Sequence, residues 1–137
     1  IEDLPLYLNE RRQDPAWRGC NVTMPLKRQA AAFCARINAD AQAVGAVNCV
    51  VRESGRDLLG LNFDIAGVAE PLRTLAKPAY ANHVASYVQI IGSGGAARAA
   101  VVGAARAGFG DFDIFCGNLE EGLALAALAG TPFGECH

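Results

Sequence analysis

Residues that build metal sites and disulfide frameworks are scarce in this chain. Its 137 residues include two histidines and five cysteines, and no two cysteines stand in a Cys-x-x-Cys spacing. Zinc sites and disulfide frameworks depend on closely paired ligands, so we predict no metal site and no disulfide framework. We interpret the cysteines as reduced, mostly buried thiols: Cys20, Cys34, Cys49, Cys116 and Cys136.

Charge and long apolar runs are also scarce. Twelve Lys and Arg oppose fourteen Asp and Glu, which leaves a formal charge of −2 and argues against a nucleic-acid partner. No apolar run approaches the roughly 20 residues that span a bilayer, and the first residues resemble no signal or targeting peptide. Because 52% of the residues are apolar, we predict a globular chain with a core. The unpaired cysteines and the lack of a long apolar run predict a cytoplasmic protein without a membrane partner. The sequence does not indicate an oligomeric state.

Helical and strand-like segments alternate along the chain. The first part reads as a helix over 1–12, a strand over 19–23, a helix opened by Pro25, a helical turn over 40–44, strands over 46–51 and 58–62, and a helix over 64–75. The second part reads as a strand over 87–91, a helix over 96–107, a strand over 112–116 and a helix over 120–129. The whole chain is therefore predicted to be of the α/β class, and the β-α-β-α run of the second part predicts a doubly wound parallel sheet. Polar breaks and a proline after residue 77 predict lobes over 1–77 and 78–137.

A glycine-rich turn joins the predicted strand at 87–91 to the next helix. Gly92 permits a tight turn, and Gly94 lets the backbone approach a pyrophosphate. The free amides of the helix N-terminus, together with the helix dipole, favour phosphate. We therefore predict dinucleotide binding by this turn: Gly92, Ser93, Gly94, Gly95 and Ala96. Asn118 follows the next strand, whose tip carries no Asp, Glu or Arg, so the choice between NAD and NADP stays open.

Two charged residues stand at predicted strand-to-helix junctions, where α/β sheets bind ligands. Lys27 lies in the first turn of a helix, an unfavourable place for a cation, and Asp64 begins another helix. A Lys–Asp pair can move a proton to or from an alcohol. From spacing alone, however, a surface lysine and a helix-capping aspartate are the favoured reading. Capping or turn roles likewise account for the polar residues nearby, which are Asn21, Thr23 and Asn48.

Four motifs, in the right order and spacing, resemble the shikimate dehydrogenase family. They are Gly-Cys-Asn-Val-Thr-Met-Pro-Leu-Lys at 19–27, Gly-Ala-Val-Asn at 45–48, Gly-Leu-Asn-Phe-Asp at 60–64 and Gly-Ser-Gly-Gly-Ala-Ala-Arg at 92–98. The resemblance implies an N-terminal α/β substrate-binding lobe followed by a Rossmann-like dinucleotide-binding lobe. It also implies NADP-linked interconversion of 3-dehydroshikimate and shikimate, a small-molecule reaction of aromatic amino acid biosynthesis.

The resemblance assigns roles residue by residue. Lys27 and Asp64 match the catalytic pair, in which the lysine exchanges the proton with the substrate oxygen and the aspartate orients it. Asn21, Thr23 and Asn48, together with that pair, match groups that hold the substrate hydroxyls. The glycine turn matches the dinucleotide loop.

Some positions depart from the family pattern. Phe63 stands where the family usually has threonine, Cys49 replaces a common threonine, and the Asn-Arg-Thr that grips the 2′-phosphate is missing near Asn118. The family's opening strand and closing elements are not found, so we expect both lobes to be incomplete. NAD therefore remains an alternative to NADP. A quinate or other cyclic hydroxy-acid dehydrogenase, or a non-catalytic sensing module, remains an alternative function.

Overall fold

A computed structural model describes residues 3–75 and 87–130 and confirms the α/β class. The chain divides into two compact units, Ile1–Phe63 and Asp64–His137. The predicted boundary after residue 77 lies outside the described residues, as do Cys136 and both histidines. The assignment of one lobe to substrate and the other to dinucleotide stays a prediction.

The first unit is built on a mixed sheet, which in the described residues has four strands. The strands are β1 (Gly19–Asn21), β2 (Arg36–Ile37), β3 (Cys49–Arg52) and β4 (Leu58–Leu61), and the helices are α1 (Leu4–Arg11), α2 (Lys27–Phe33) and α3 (Ala39–Val44). The order is β1-β3-β4-β2, with β3 antiparallel to β1 and β4, and β2 parallel to β4. The predicted hairpin is confirmed as β3–β4, whereas β2 was not predicted.

Short polar side chains set the starts of two helices in this unit. The Asp3 carboxylate accepts from the Leu6 N–H at 2.9 Å, and the Asn38 side chain accepts from the Ala41 N–H at 2.9 Å. The prediction that Pro25 opens a helix was wrong. The Leu26 N–H donates to the Thr23 carbonyl at 2.9 Å, so this segment is a turn and α2 begins only after it.

Apolar side chains from the sheet and helices form the core of the first unit. Leu8, Val47 and Val50 are fully buried, and the half-buried Trp17 packs against this core. Gly60 in β4 is required for close packing, because a β-carbon there would lie 2.6 Å from the Val47 side chain.

The second unit contains the predicted β-α-β-α run. Its elements are α4 (Asp64–Leu75), β5 (Tyr87–Ile91), α5 (Gly95–Arg106), β6 (Asp111–Phe115) and α6 (Leu119–Ala129). Strands β5 and β6 are parallel, and Ile90 stands opposite Ile114 in a core shared with Val101 and Leu125. The expectation that β5 is a buried strand was wrong at Ile91, which is 87% exposed. Among the described strands only β6 pairs with β5.

Helices α4 and α5 pack closely at a glycine. A β-carbon on Gly103 would lie 2.9 Å from the carbonyl oxygen of Ile65 and 2.9 Å from the β-carbon of Val68. No helix within residues 3–75 and 87–130 combines the length and apolar character that crossing a membrane requires.

Candidate functional site

Three motif segments of the first unit meet through backbone hydrogen bonds. The Val22 N–H donates to the Asn48 carbonyl at 2.8 Å, and the Asn48 N–H donates to the Leu61 carbonyl at 2.9 Å. The Val47 N–H donates to the carbonyl of Lys27, also at 2.9 Å. The segment after β1, the start of α2, the loop before β3 and the end of β4 are therefore neighbours, although they are far apart in the sequence.

The side chain of Asn48 fixes the junction at the end of β4. Its Oδ1 accepts from the Phe63 N–H at 3.1 Å. This hydrogen bond fixes the backbone of Phe63 just beyond the end of β4. Asn48 therefore has a structural contact of its own, and its role toward a substrate stays a prediction.

Asn62 is a polar residue of the motif region to which the sequence assigned no role. It is 1% exposed, and its Nδ2 donates to the Ala46 carbonyl at 2.9 Å. Its backbone N–H donates to Oδ1 of Asn38 at 3.2 Å. Asn62 therefore ties the end of β4 to the loop before β3 and to the cap of α3. The sequence signal was a lone polar residue directly after an apolar strand, which does not reveal burial.

The other candidate substrate residues lie around the start of α2. Lys27 is half-buried as the first residue of α2. Asn21 and Thr23 are exposed and line a cavity of about 400 Å³, whose lining also includes Tyr7 of α1. Asp64 is the first residue of α4, as predicted, and belongs to the second compact unit. The pairing of Lys27 with Asp64 therefore stays a prediction.

The cysteines of the first unit are half-buried rather than mostly buried, which corrects the expectation. Burial, assisted by the neighbouring Cys20, raises the pKa of Cys34 to about 11. Burial, assisted by Cys49, also raises the pKa of Cys20. Thiols with raised pKa values stay protonated near neutral pH, so these two are poor nucleophiles. The described residues contain no group of three or more His, Cys, Asp or Glu placed to hold a metal ion.

The glycine turn of the second unit has the predicted strand-turn-helix form. Gly92 has φ +112°, a conformation that favours glycine, and its N–H donates to the Phe115 carbonyl at 2.8 Å. Gly94 is the N-cap of α5 and gives the helix no side-chain capping bond. No described atom comes within 4 Å of a β-carbon built on Gly94 or Gly95, so the approach to the turn is open. An open turn with uncapped helix amides suits a phosphate group.

A second turn, at the start of α6, contacts the glycine turn. The Asn118 side chain caps α6 by accepting from the Glu121 N–H at 3.2 Å. The hydroxyl of Ser93 donates to the carboxylate of Glu121. The sequence placed Asn118 near the cofactor site but did not identify Glu121 as a partner of the glycine turn. A contact between side chains 28 residues apart in the sequence leaves no local sequence pattern.

A larger cavity of the second unit, of about 540 Å³, lies along α4, β5 and α5. Apart from Gln89 its lining consists of apolar residues and a glycine, with Ala96 as the one residue of the glycine turn among them. None of these side chains titrates, so the cavity offers no group for proton transfer.

Comparison with known proteins finds similarity to one family. Residues 2–50 match the model of the shikimate dehydrogenase substrate binding domain. The shikimate dehydrogenase (NADP(+)) of Sphingopyxis alaskensis is 36% identical over 127 residues, which are 93% of this chain and 44% of that protein. The corresponding protein of Prosthecochloris aestuarii is 43% identical over 113 residues, which are 79% of this chain and 36% of that protein.

Solved structures give the same result. The shikimate dehydrogenase of Mycobacterium tuberculosis has a TM-score of 0.78 at 33% identity, over 94% of this chain and 44% of that one. The Thermus thermophilus enzyme in complex with NADP(H) and shikimate has a TM-score of 0.75 at 33% identity, over 96% of this chain and 47% of that one. This chain therefore spans less than half the length of these relatives.

Proposed function

The chain matches the shikimate dehydrogenase family, and on that premise we propose that it carries the substrate lobe and part of the dinucleotide lobe of an NADP-linked shikimate dehydrogenase. The reaction is the reversible reduction of 3-dehydroshikimate to shikimate. The observation that supports this most strongly is the backbone network that joins the segment after β1, the loop before β3 and the end of β4. The names of the similar proteins favour this function over a quinate dehydrogenase or a sensing module.

The first unit supplies the groups that hold a polyhydroxylated substrate. Asn21 and Thr23 present an amide and a hydroxyl on the cavity after β1, and Asn48 lies beside that segment through the Val22 hydrogen bond. Amide and hydroxyl groups both donate and accept hydrogen bonds, which suits the hydroxyls of a sugar-like ring. These residues would orient the substrate toward Lys27.

Lys27 is the proposed proton donor for the developing alkoxide, and it accepts the proton in the reverse direction. Its place at the start of α2 puts a cation at the positive end of a helix, an arrangement that suits an anionic or carboxylate partner. Asp64 is the proposed partner that orients the amine and accepts a hydrogen bond from the same substrate hydroxyl.

The residues of the second unit fit a dinucleotide. The open surface over Gly94 and Gly95 allows a pyrophosphate to approach the backbone, and the first amides of α5 would face it. Gly92 and Ala96 complete the turn, and Asn118 lies at the start of the neighbouring helix. When bound, the dinucleotide would supply or accept the hydride.

The test is turnover by the protein that carries this chain. Reduced-dinucleotide formation is followed from shikimate and from quinate, with NADP and NAD in parallel. We expect shikimate oxidation, and a loss of at least about a hundredfold in kcat for Lys27→Ala and for Asp64→Asn. Arg28→Ala is the matched control, because it removes a neighbouring cation and should leave turnover within about twofold. Equal losses in Lys27→Ala and Arg28→Ala, or no turnover of shikimate with either dinucleotide, would contradict the proposal.

A further inference from the structure

The carboxylate of Glu121 is held against the glycine turn. It accepts a hydrogen bond from the hydroxyl of Ser93, while its own backbone N–H donates to the Asn118 side chain at 3.2 Å. Two separate contacts, one of the side chain and one of the backbone, therefore place this acidic residue at the start of α6. Its position next to the turn is a feature of the fold rather than of the local sequence.

The surroundings of Glu121 in the sequence carry no compensating cation. Residues 107–137 contain no lysine and no arginine, whereas they contain the carboxylates of Asp111, Asp113, Glu120, Glu121 and Glu135. An anionic group that approaches this end of β6 therefore meets no positive charge from that stretch of the chain.

NAD and NADP differ at one position that such a carboxylate can distinguish. The adenosine ribose of NAD carries free hydroxyls, which can donate hydrogen bonds to a carboxylate. NADP carries a phosphate monoester in place of the 2′-hydroxyl, and such a group has a charge of roughly −1.5 to −2 near neutral pH. A carboxylate accepts hydrogen bonds from the ribose hydroxyls of NAD and repels the 2′-phosphate of NADP.

We propose that Glu121, positioned by Ser93 and Asn118, is a specificity-determining residue that disfavours the 2′-phosphate and so weakens the preference of this site for NADP over NAD. The inference rests on the proposed dinucleotide site at the glycine turn. When NAD is bound, the Glu121 carboxylate would accept a hydrogen bond from a ribose hydroxyl. The same carboxylate would repel the 2′-phosphate of NADP, and added salt would screen that repulsion.

The experiment is calorimetric titration of NAD and of NADP into the chain and into two variants. Glu121→Gln removes the charge but keeps an amide oxygen for Ser93, and Glu120→Gln removes an equal charge from the neighbouring exposed residue. We expect Glu121→Gln to lower the ratio of Kd for NADP to Kd for NAD about tenfold at low salt. Glu120→Gln should change that ratio by less than about threefold, and about 0.5 M salt should reduce the effect of Glu121→Gln.

The outcomes separate the selectivity inference from the site on which it rests. If both dinucleotides bind and Glu121→Gln leaves the ratio within about twofold, or matches Glu120→Gln, the role of Glu121 is refuted while the dinucleotide site stands. If neither dinucleotide binds to the chain or to either variant, the proposed dinucleotide site is refuted and the inference fails with it.

Discussion

Replacing Asn62 tests whether a buried hydrogen bond holds the candidate site together. The residue is 1% exposed, and its Nδ2 donates to the Ala46 carbonyl at 2.9 Å in the loop that precedes Asn48. Asn62→Ala removes the donor and leaves a small void beside a carbonyl that has lost this partner. Asn62→Asp keeps the shape but places a carboxyl oxygen where the amide nitrogen stood.

The magnitudes follow from burial. Leaving a buried carbonyl without its donor costs about 1–3 kcal/mol, and the void adds about 1 kcal/mol, so Asn62→Ala should lower the free energy of unfolding by about 2–4 kcal/mol. At pH 7, Asn62→Asp should be at least as damaging, because it buries a charge against a carbonyl oxygen. Burial raises the pKa of that aspartic acid in the folded state above its unfolded value of about 3.9.

The sign of the pH dependence distinguishes the two variants. A folded-state pKa above the unfolded value means that protonation favours the folded state. The protonated acid can donate to the Ala46 carbonyl, so Asn62→Asp should lie nearest to wild type below about pH 4 and lose stability as pH rises through the folded-state pKa. The deficit of Asn62→Ala should not vary with pH.

Urea unfolding followed by tryptophan fluorescence is the assay. The chain has one tryptophan, Trp17, and it packs against the core of the first unit, so the signal reports on that unit. Asn9→Asp adds the same charge at an exposed position of α1 and should change the free energy of unfolding by less than about 0.5 kcal/mol. A pH-independent deficit in Asn62→Asp, or a deficit below about 1 kcal/mol in Asn62→Ala, would refute the reasoning.

Further predictions concern packing and thiol chemistry. Gly103→Ala should lower the free energy of unfolding of the second unit by about 1–3 kcal/mol in urea unfolding followed by circular dichroism, since its β-carbon would lie 2.9 Å from the Ile65 carbonyl oxygen. Gly67 is a helical site with no described atom within 4 Å of an added β-carbon, so Gly67→Ala should raise the free energy of unfolding by about 0.5–1 kcal/mol. Equal effects of Gly103→Ala and Gly67→Ala would contradict the packing account. Because the pKa of Cys34 is raised from 9.0 to about 11, its iodoacetamide alkylation at pH 8, followed by mass spectrometry, should be about a hundredfold slower than that of a thiol of pKa 9.0. A rate that levels off near pH 9 would contradict that pKa.

The elements of the second unit were predictable because each repeats a strong pattern. The helix 64–75 was predicted at its observed bounds, since Asp64 begins it and Ile65, Val68 and Leu72 recur at helical spacing.

Two features of the first unit were not predicted correctly. Strand β2 was missed because its two residues are too few to show a period of two. Pro25 misled the prediction because proline suits a turn as well as the first turn of a helix.

The candidate site was predictable only in its chemical groups. The motifs named Asn21, Thr23 and Asn48, but not the hydrogen bond from Phe63 to Asn48, which depends on how the strand ends meet. The contact of Ser93 with Glu121 likewise joins residues that only the parallel pairing of β5 and β6 brings together. Such long-range contacts follow from topology, which local propensity does not encode.

Shikimate binding by the chain tests the proposed substrate site most directly. Calorimetric titration of shikimate is compared between wild type, Thr23→Ala and Ser54→Ala, where the last removes an exposed hydroxyl from the turn between β3 and β4. We predict that wild type and Ser54→Ala bind equally and that Thr23→Ala binds about tenfold more weakly, the loss expected for one hydrogen bond. No binding by wild type, or equal binding by all three proteins, would contradict the account.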